Sequence, residues 1–318
     1  MRRAAGRVAA CIALSAAALG ECGAQEFSVL GGGMRGGSPR DTTFAWMISY
    51  QEPLGEHFAA SLSYLNEGHI PDHHRDGQSA QLWAMTRAFG RRLTFAAGLG
   101  PYRYFDTTVA ESGVNHADEH GTGVLYSLSA VWRSADGWRY ELRFNHAETK
   151  HSIDSSQVLL GVGALLERDG RAVYDSAARR GELTLFAGVT IVNSFDSESA
   201  PAASVEYRHA FGPLLKASVA LMREGDAQLL RRDGLIVQGW LEPSFSGERF
   251  TLGVGVGGYF AVDRYREDEN GAFASGIITL SASLRFGRGW TGRFSWHRIH
   301  SDYDRDADVL LLGIGHRI

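Results

Sequence analysis

The sequence predicts an all-β protein, a transmembrane antiparallel β-barrel built from two tandem eight-strand repeats. Three observations carry this: side-chain alternation, the spacing of the connections, and an internal duplication. In "WRYELRFNH", Trp138, Tyr140, Leu142 and Phe144 share one face, while Arg139, Glu141, Arg143 and Asn145 share the other. In "IITLSASLRF", Ile278, Leu280, Ala282, Leu284 and Phe286 oppose Thr279, Ser281, Ser283 and Arg285. Period two with one apolar face marks a strand. Segments of roughly 9 to 12 residues suit a tilted bilayer crossing, with apolar side chains toward lipid and polar ones toward the lumen. A secreted all-β protein would turn the same faces the other way. Connections decide for the membrane: short ones ("EPLGE", "AFGRR", "SADG", "FGRG") alternate with long ones ("NEGHIPDHHRDG", "DTTVAESGVNHADEHGTG").

The elements follow in order. Arg2, Arg3 and Arg7 precede the apolar run "VAACIALSAAALG", and "CGA" ends at Ala24, the layout of a cleaved secretory leader over residues 1–24. Glu21, before Cys22, stands where a lipoprotein leader needs a small residue. Cys11 and Cys22 both fall in the leader, so the remaining chain, roughly 294 residues, offers neither a disulfide nor a thiolate ligand. In the first repeat, about residues 25–170, strands are expected to start near Phe27, Thr43, Phe58, Ser79, Leu93, Gly123, Trp138 and Gln157. In the second, about 181–318, they are expected near Leu183, Ala203, Leu215, Ile236, Phe250, Phe273, Trp290 and Val309. The charged joint Glu167–Gly181 contains no Pro-rich or Gly/Ser-rich linker, which favours one 16-stranded barrel over two 8-stranded barrels. The 39 glycines, with 16 Phe, 11 Tyr and 7 Trp against 7 prolines, agree with many strands. A net charge of −4 gives nucleic acid no purchase, and nothing in the sequence calls for a cofactor.

The chain also repeats itself. "ASLSYLNEGHIPDHHRDGQSAQLW", from Ala60, aligns without gaps on "ASVALMREGDAQLLRRDGLIVQGW", from Ala217, an offset of 157. After one deletion the offset becomes 152, and "GWRYELRFNHAETKHSIDSSQVLLGVG" matches "GWTGRFSWHRIHSDYDRDADVLLLGIG". A repeat at fixed offset marks a tandem duplication.

It also provides an internal control for candidate sites. His69, His73 and His74 in the opening loop, with Asp72 and Asp76, could supply metal ligands. The second repeat retains no histidine there. Both repeats keep Glu67, Gly68, Arg75, Asp76 and Gly77 as Glu224, Gly225, Arg232, Asp233 and Gly234. These read as the frame of an outer loop, Glu67 pairing with Arg75 across its mouth and Asp76-Gly77 making a turn. "NHADEH", from Asn115, adds His116 and His120 as further candidate cation ligands. "DYDRDAD", from Asp302, lacks the glycine and distal glutamate of a calcium hand. Arg139, Glu141, Arg143, Glu206, Arg208, Arg285 and Arg293 fall on polar strand faces, where lumenal charges either pair into a plug or line a channel. Trp83, Trp132, Trp138, Trp240, Trp290 and Trp296 suit interfacial girdles.

With leader, alternating strands and a terminal strand in place, the chain resembles bacterial outer-membrane β-barrel proteins. Their last strand commonly carries a glycine five residues before a terminal aromatic or apolar residue; Gly313 and Ile318 match, whereas His316 departs from the pattern. The resemblance implies residence in the outer membrane, insertion by the barrel-assembly machinery, and contact with outer-membrane lipid and lipopolysaccharide. It implies a passive pore or a structural envelope protein, with a loop-based surface binder as another class. A narrower resemblance is to the eight-stranded lipid A deacylases, which carry a His and a Ser two residues apart on the seventh strand. Here His146 is followed by Glu148 in the Ser position, and His297 by Ile299, with Ser301 beside His300. That resemblance implies His146 and His297 as the residues to examine.

Overall fold

In the computed structural model, strand pairing closes two rings of eight. The structure describes residues 25–37, 40–89, 92–109, 116–134, 138–166, 180–212, 214–245, 249–266, 271–287 and 289–318; the expected leader, Asn115 and most of the joint lie outside these. The first ring consists of β1 (Gln25–Gly36), β2 (Thr42–Pro53), β3 (Phe58–Ile70), β4 (His73–Ala88), β5 (Leu93–Val109), β6 (His116–Arg133), β7 (Trp138–Thr149) and β8 (Ser155–Leu166). These follow one another in order, and β8 returns to β1 in a ladder running from Gln25↔Leu166 to Gly36↔Ser155.

The second ring contains β9 (Gly181–Val192), β10 (Ser199–Ala210), β11 (Leu215–Glu224), β12 (Arg232–Leu241), β14 (Phe250–Asp263), β15 (Ala272–Phe286), β16 (Trp290–His300) and β17 (Ala307–Arg317). The two-residue β13 (Ser244–Phe245) pairs with the start of β14. Pairing of β12 with β14 and of β17 with β9 closes this ring. The expected single 16-stranded barrel is therefore corrected. Backbone donors and acceptors of β8 are taken by β1, and those of β9 by β17, so among the described residues no ladder joins the repeats. Closure removes the open edges that a flat sheet would leave.

Each ring is apolar outside and polar inside. Leu82 and Leu160 on the outer wall are each 67% exposed, whereas Arg139, Glu141 and Arg143 on the inner wall are buried. In the second ring, Leu185, Leu221 and Leu312 face out, while Glu206, Arg208 and Arg293 are buried inside. This is the arrangement of a barrel that has lipid around it.

Two stretches expected as loops prove to be largely strand. The β3–β4 hairpin turns at Pro71-Asp72, with Asp72 at φ 66°. The register slips between Asn66 and His69, and Gly68 sits there at φ 64°. A Cβ at Gly68 would lie 2.3 Å from the Phe44 carbonyl oxygen, so this bulge needs glycine for both conformation and space. Likewise β6 begins at His116, seven residues before the expected start. Polar residues occupy both faces of these outer strand ends, which hides the period. Asp76 and Gly77 are not a turn. They lie within the ladder, opposite Asn66 and Leu65.

Candidate functional site

The retained Glu and Arg of each repeat meet inside the ring rather than across a loop. Glu67, on β3, accepts hydrogen bonds from Arg75 Nε, Ser155 Oγ, Tyr102 Oη (2.9 Å) and Gln157 Nε2 (2.6 Å). Arg75 also donates to Ser152 Oγ (2.9 Å) and to the Ile153 carbonyl. In the second ring, Glu224 accepts from Arg232 Nη2 (3.0 Å), Tyr259 Oη (3.0 Å) and Thr190 Oγ1 (3.1 Å). All four charged groups are buried, so the earlier picture of a loop frame is corrected to a duplicated lumenal plug. Gly77 and Gly234 make room for it: a Cβ there would come within 2.4 Å of the Tyr102 ring and 2.5 Å of the Tyr259 ring. Gly225 donates its N–H to the Pro201 carbonyl at 2.9 Å. Asp76 points to the opposite face and accepts from Tyr64 Oη at 2.6 Å, while Asp233 is exposed beside Arg223.

The rest of each lumen is filled as well. In the first ring, Glu26 binds Arg133 and Arg139, Arg139 and Arg143 both donate to Glu141 at 2.7 Å, and Arg143 lies 4.9 Å from the Trp83 ring. Gln81, Ser127, Asn145 and Gln157 then carry hydrogen bonds onward to Glu67. In the second ring, Glu242 binds Arg208 and Lys216. Glu206 accepts from Arg208 (3.1 Å) and Arg293 (2.8 Å), and Arg293 reaches Glu182 at 2.5 Å. Arg285 is half-buried at the same end.

Trp83 and Trp240 belong to these lumens and not to girdles. Their indole N–H groups donate to Ser61 (2.9 Å) and Ser218 (2.8 Å), and Arg208 covers Trp240 at 3.7 Å. Gly98 and Gly255 leave space for the two rings. Trp132, Trp138 and Trp290 are exposed on the outer walls.

The loop histidines take separate places. His73 Nδ1 lies 2.8 Å from Asp106 Oδ2, which also accepts from Ser152 Oγ at 2.7 Å. The His69 and His74 rings lie 4.0 Å apart, tilted by 42°, and His120 packs edge-on to Phe105 at 5.9 Å. His116 is buried at the start of β6. Within either ring, no three histidine or carboxylate ligand atoms of the described residues approach within 4.8 Å.

Asp106 and its repeat counterpart Asp263 escaped the sequence reading. Asp263 accepts from Tyr303 Oη (2.7 Å) and from the backbone N–H of Arg231 (3.1 Å) and Tyr265 (3.0 Å), so both aspartates tie down loop-side connections. Their signal was retention at the 157 offset, at the end of "YRYFD" and "YFAVD". In the second ring's loops, the bond from Tyr265 Oη to Asp226 (2.8 Å) holds the Asp226 carboxyl below its ordinary value and pushes the Tyr265 phenol up. Burial pushes the Tyr303 phenol up.

The two deacylase-type candidates separate cleanly. His297 points into the second lumen, is buried, and shares a 2.7 Å hydrogen bond with Thr279 Oγ1. His146 faces outward near the loop end of β7, in the same outer row as Tyr126 and Ser156. Its Nδ1 lies 3.0 Å from Ser156 Oγ, and Glu148, two residues along the same face, accepts from Tyr126 Oη at 3.2 Å. At the corresponding positions of the second ring, Arg298 pairs with Asp308 at 2.8 Å, and Trp296 donates to the same carboxylate. Ser156 was not singled out from the sequence, because the cross-strand register that joins it to His146 was not known.

No family model and no curated relative matches the chain. Among solved structures it is similar to the N-terminal β-barrel domain of Pseudomonas aeruginosa OprF, with 13% identity and a TM-score of 0.36, over 45% of this chain and 98% of that one. It is also similar to Neisserial surface protein A (11%, TM-score 0.37, 46% and 99%) and to Ail, the attachment invasion locus protein of Yersinia pestis (9%, TM-score 0.34, 44% and 97%). Each of these covers less than half of this chain, and the likeness is one of fold.

Proposed function

We propose that the protein is a structural component of the bacterial outer membrane whose two rings are closed to solutes. On this reading it leaves the cytoplasm through a cleaved leader, is inserted by the barrel-assembly machinery, and contacts lipid and lipopolysaccharide through its outer walls. The filled lumens carry the reading. An eight-stranded ring leaves an interior that side chains can fill; here Glu67–Arg75 continues through Gln157, Asn145, Ser127 and Gln81, and Glu224–Arg232 shares the second lumen with the Glu206, Arg208 and Arg293 network. Reconstitution in planar bilayers tests it. The expected record is flat at all voltages, and stepwise ion conductance would identify a pore instead.

A second reading, a lipid-modifying hydrolase of the deacylase type, is favoured by the outward pair Ser156–His146. A serine nucleophile needs a base within hydrogen-bond reach, and 3.0 Å provides it on the face where acyl chains lie. Ser156 Oγ would attack the ester carbonyl as His146 takes its proton; the ester C–O bond would break, His146 returning the proton to the departing hydroxyl, and water would then hydrolyse the acyl-serine to free fatty acid. Expression in a heterologous Gram-negative host should then shift the lipid A acyl pattern, and Ser156→Ala should abolish the shift. An unchanged mass spectrum with the intact chain removes this reading.

A further inference from the structure

The bulge at Gly68 decides which way His69 faces. Side chains on a strand alternate, so Glu67 and His69 would share the inner face of an unbroken ladder. The bulge inserts one residue, and pairing resumes as His69↔His74 and Ile70↔His73. Glu67 stays in the lumen with Arg75, while His69 is moved to the outer face, directly opposite His74. In that outer row the next rung is Asn66 and Asp76, and the apolar wall of Leu62 and Leu82 begins further along. The two histidines therefore stand beyond the apolar band, His69 exposed and His74 half-buried. The adjacent strand fixes His69 from the side: its N–H donates to Thr43 Oγ1 at 3.2 Å, and its ring lies 6.0 Å from that of Phe44.

The second ring supplies a control within the same chain. At the positions of His69 and His74 it has Asp226 and Arg231. Its hairpin is also shorter, since β11 ends at Glu224 and β12 begins at Arg232. Asp226 there accepts from Tyr265 Oη at 2.8 Å. Both repeats build the buried Glu–Arg pair, so that pair does not require a longer ladder. The first ring alone extends its strands past the pair and ends them in two facing histidines. His73, between them in sequence, turns inward, where its Nδ1 lies 2.8 Å from Asp106.

We propose that His69 and His74 form a two-imidazole site for a divalent transition-metal ion of the copper, nickel and zinc group. Their rings lie 4.0 Å apart, tilted by 42°. Two imidazole nitrogens on one ion, each about 2.0–2.1 Å from it, sit roughly 2.8–3.4 Å from one another. Small side-chain rotations reach that spacing from the observed one. Each imidazole has two ring nitrogens, and a ligating ring keeps the second for a hydrogen bond. The site therefore needs one nitrogen from each histidine, whatever else His74 touches. Imidazole donors suit copper, nickel and zinc, whereas calcium and magnesium take oxygen. Two protein ligands leave the remaining positions to water or to a bound molecule, so the site is an open one. An ion there bridges the last rungs of the hairpin, and its binding favours the paired strands.

The test uses the full chain, without a histidine tag, in neutral detergent. Copper(II) is titrated in and followed by electron paramagnetic resonance, and zinc(II) is titrated by calorimetry. The expected result is saturable binding, with a copper spectrum that carries nitrogen couplings from two imidazoles. His69→Gln and His74→Gln should each remove one set of couplings. Each should also weaken binding by roughly tenfold or more, because loss of an outer-shell partner alone costs about 10–100-fold. His73→Gln should leave both the spectrum and the affinity unchanged. Heat-dependent gel mobility verifies that each variant is folded, and His69→Gln, at an exposed ring, serves alone if His74→Gln is not. A parent that binds neither ion overturns the site. So does a folded His69→Gln that binds both ions like the parent, which would leave the pair as hairpin packing only. Loss of binding in His73→Gln with His69→Gln unaffected also overturns it, and moves the ion to His73 and Asp106.

Discussion

Glu67 is held by four side-chain donors, and its counterpart Glu224 by three. A buried carboxylate so enclosed cannot lose its charge without stranding the guanidinium beside it. Glu67→Gln should therefore lower the stability of the first ring by about 3–5 kcal/mol, the cost of breaking a buried ion pair from one side. Glu224→Gln should do the same in the second ring. Urea unfolding from lipid vesicles, followed by gel mobility, measures both; midpoints equal to the parent's would show that these pairs are not what fixes the loop-side ends. Retention of both pairs at one offset was visible in the sequence, but their position was not. The motif was read as a loop because "EGHIPDHHRDG" has polar residues at both parities, and only the bulge at Gly68 and the ladder beyond it show that Arg75 turns inward. Trp83 and Trp240, expected in the girdles, carried an inward signal all the same. Each lies two residues after a glutamine, Gln81 or Gln238, and so shares the glutamine's inward face.

Strands were legible where one face met lipid. In β7 and β15 the alternation runs unbroken along the strand, and fourteen of the sixteen long strands start within four residues of where the period placed them. Starts failed at β4 and β6, whose outer ends carry histidines and acids on both faces. Closure was not legible at all, because a strand's two backbone edges are chemically alike and side chains do not announce which neighbour will take them. The seam between β1 and β8 can be tested directly. Val29 and Val162 stand opposite each other on the outer wall, as do Val189 and Leu310 across β9 and β17. Opposed Cβ atoms lie about 4.5–5.5 Å apart, close to what a disulfide needs. In a background of Cys11→Ser and Cys22→Ser, the pair Val29→Cys with Val162→Cys should crosslink on oxidation, and so should Val189→Cys with Leu310→Cys. If both pairs stay unlinked while a cysteine at Val162 joins one on β9, the two-ring closure is wrong.

At the scale of the whole molecule, the two rings carry one interior arrangement twice. Glu–Arg–Tyr above, Trp–Ser in the middle and a carboxylate–guanidinium network below recur in both lumens. What differs is the decoration. The first ring carries His69, His73 and His74 at its loop side and the His146–Ser156 pair on its wall, and the second has Arg298–Asp308 at that wall position and an arginine-rich turn-side mouth. Because, among the described residues, every ladder closes within its own ring, neither copy takes a strand partner from the other, and eight strands is among the sizes at which membrane barrels occur. The two copies should then fold separately. A chain of residues 25–166 and one of residues 181–318, each refolded into phosphatidylcholine vesicles, should show the compact, heat-sensitive gel mobility of a closed barrel. Each should also show strand-rich circular dichroism without the other present. Half-chains that stay unfolded alone and acquire this mobility only when mixed would mean that the rings, although closed in their ladders, depend on one another to form.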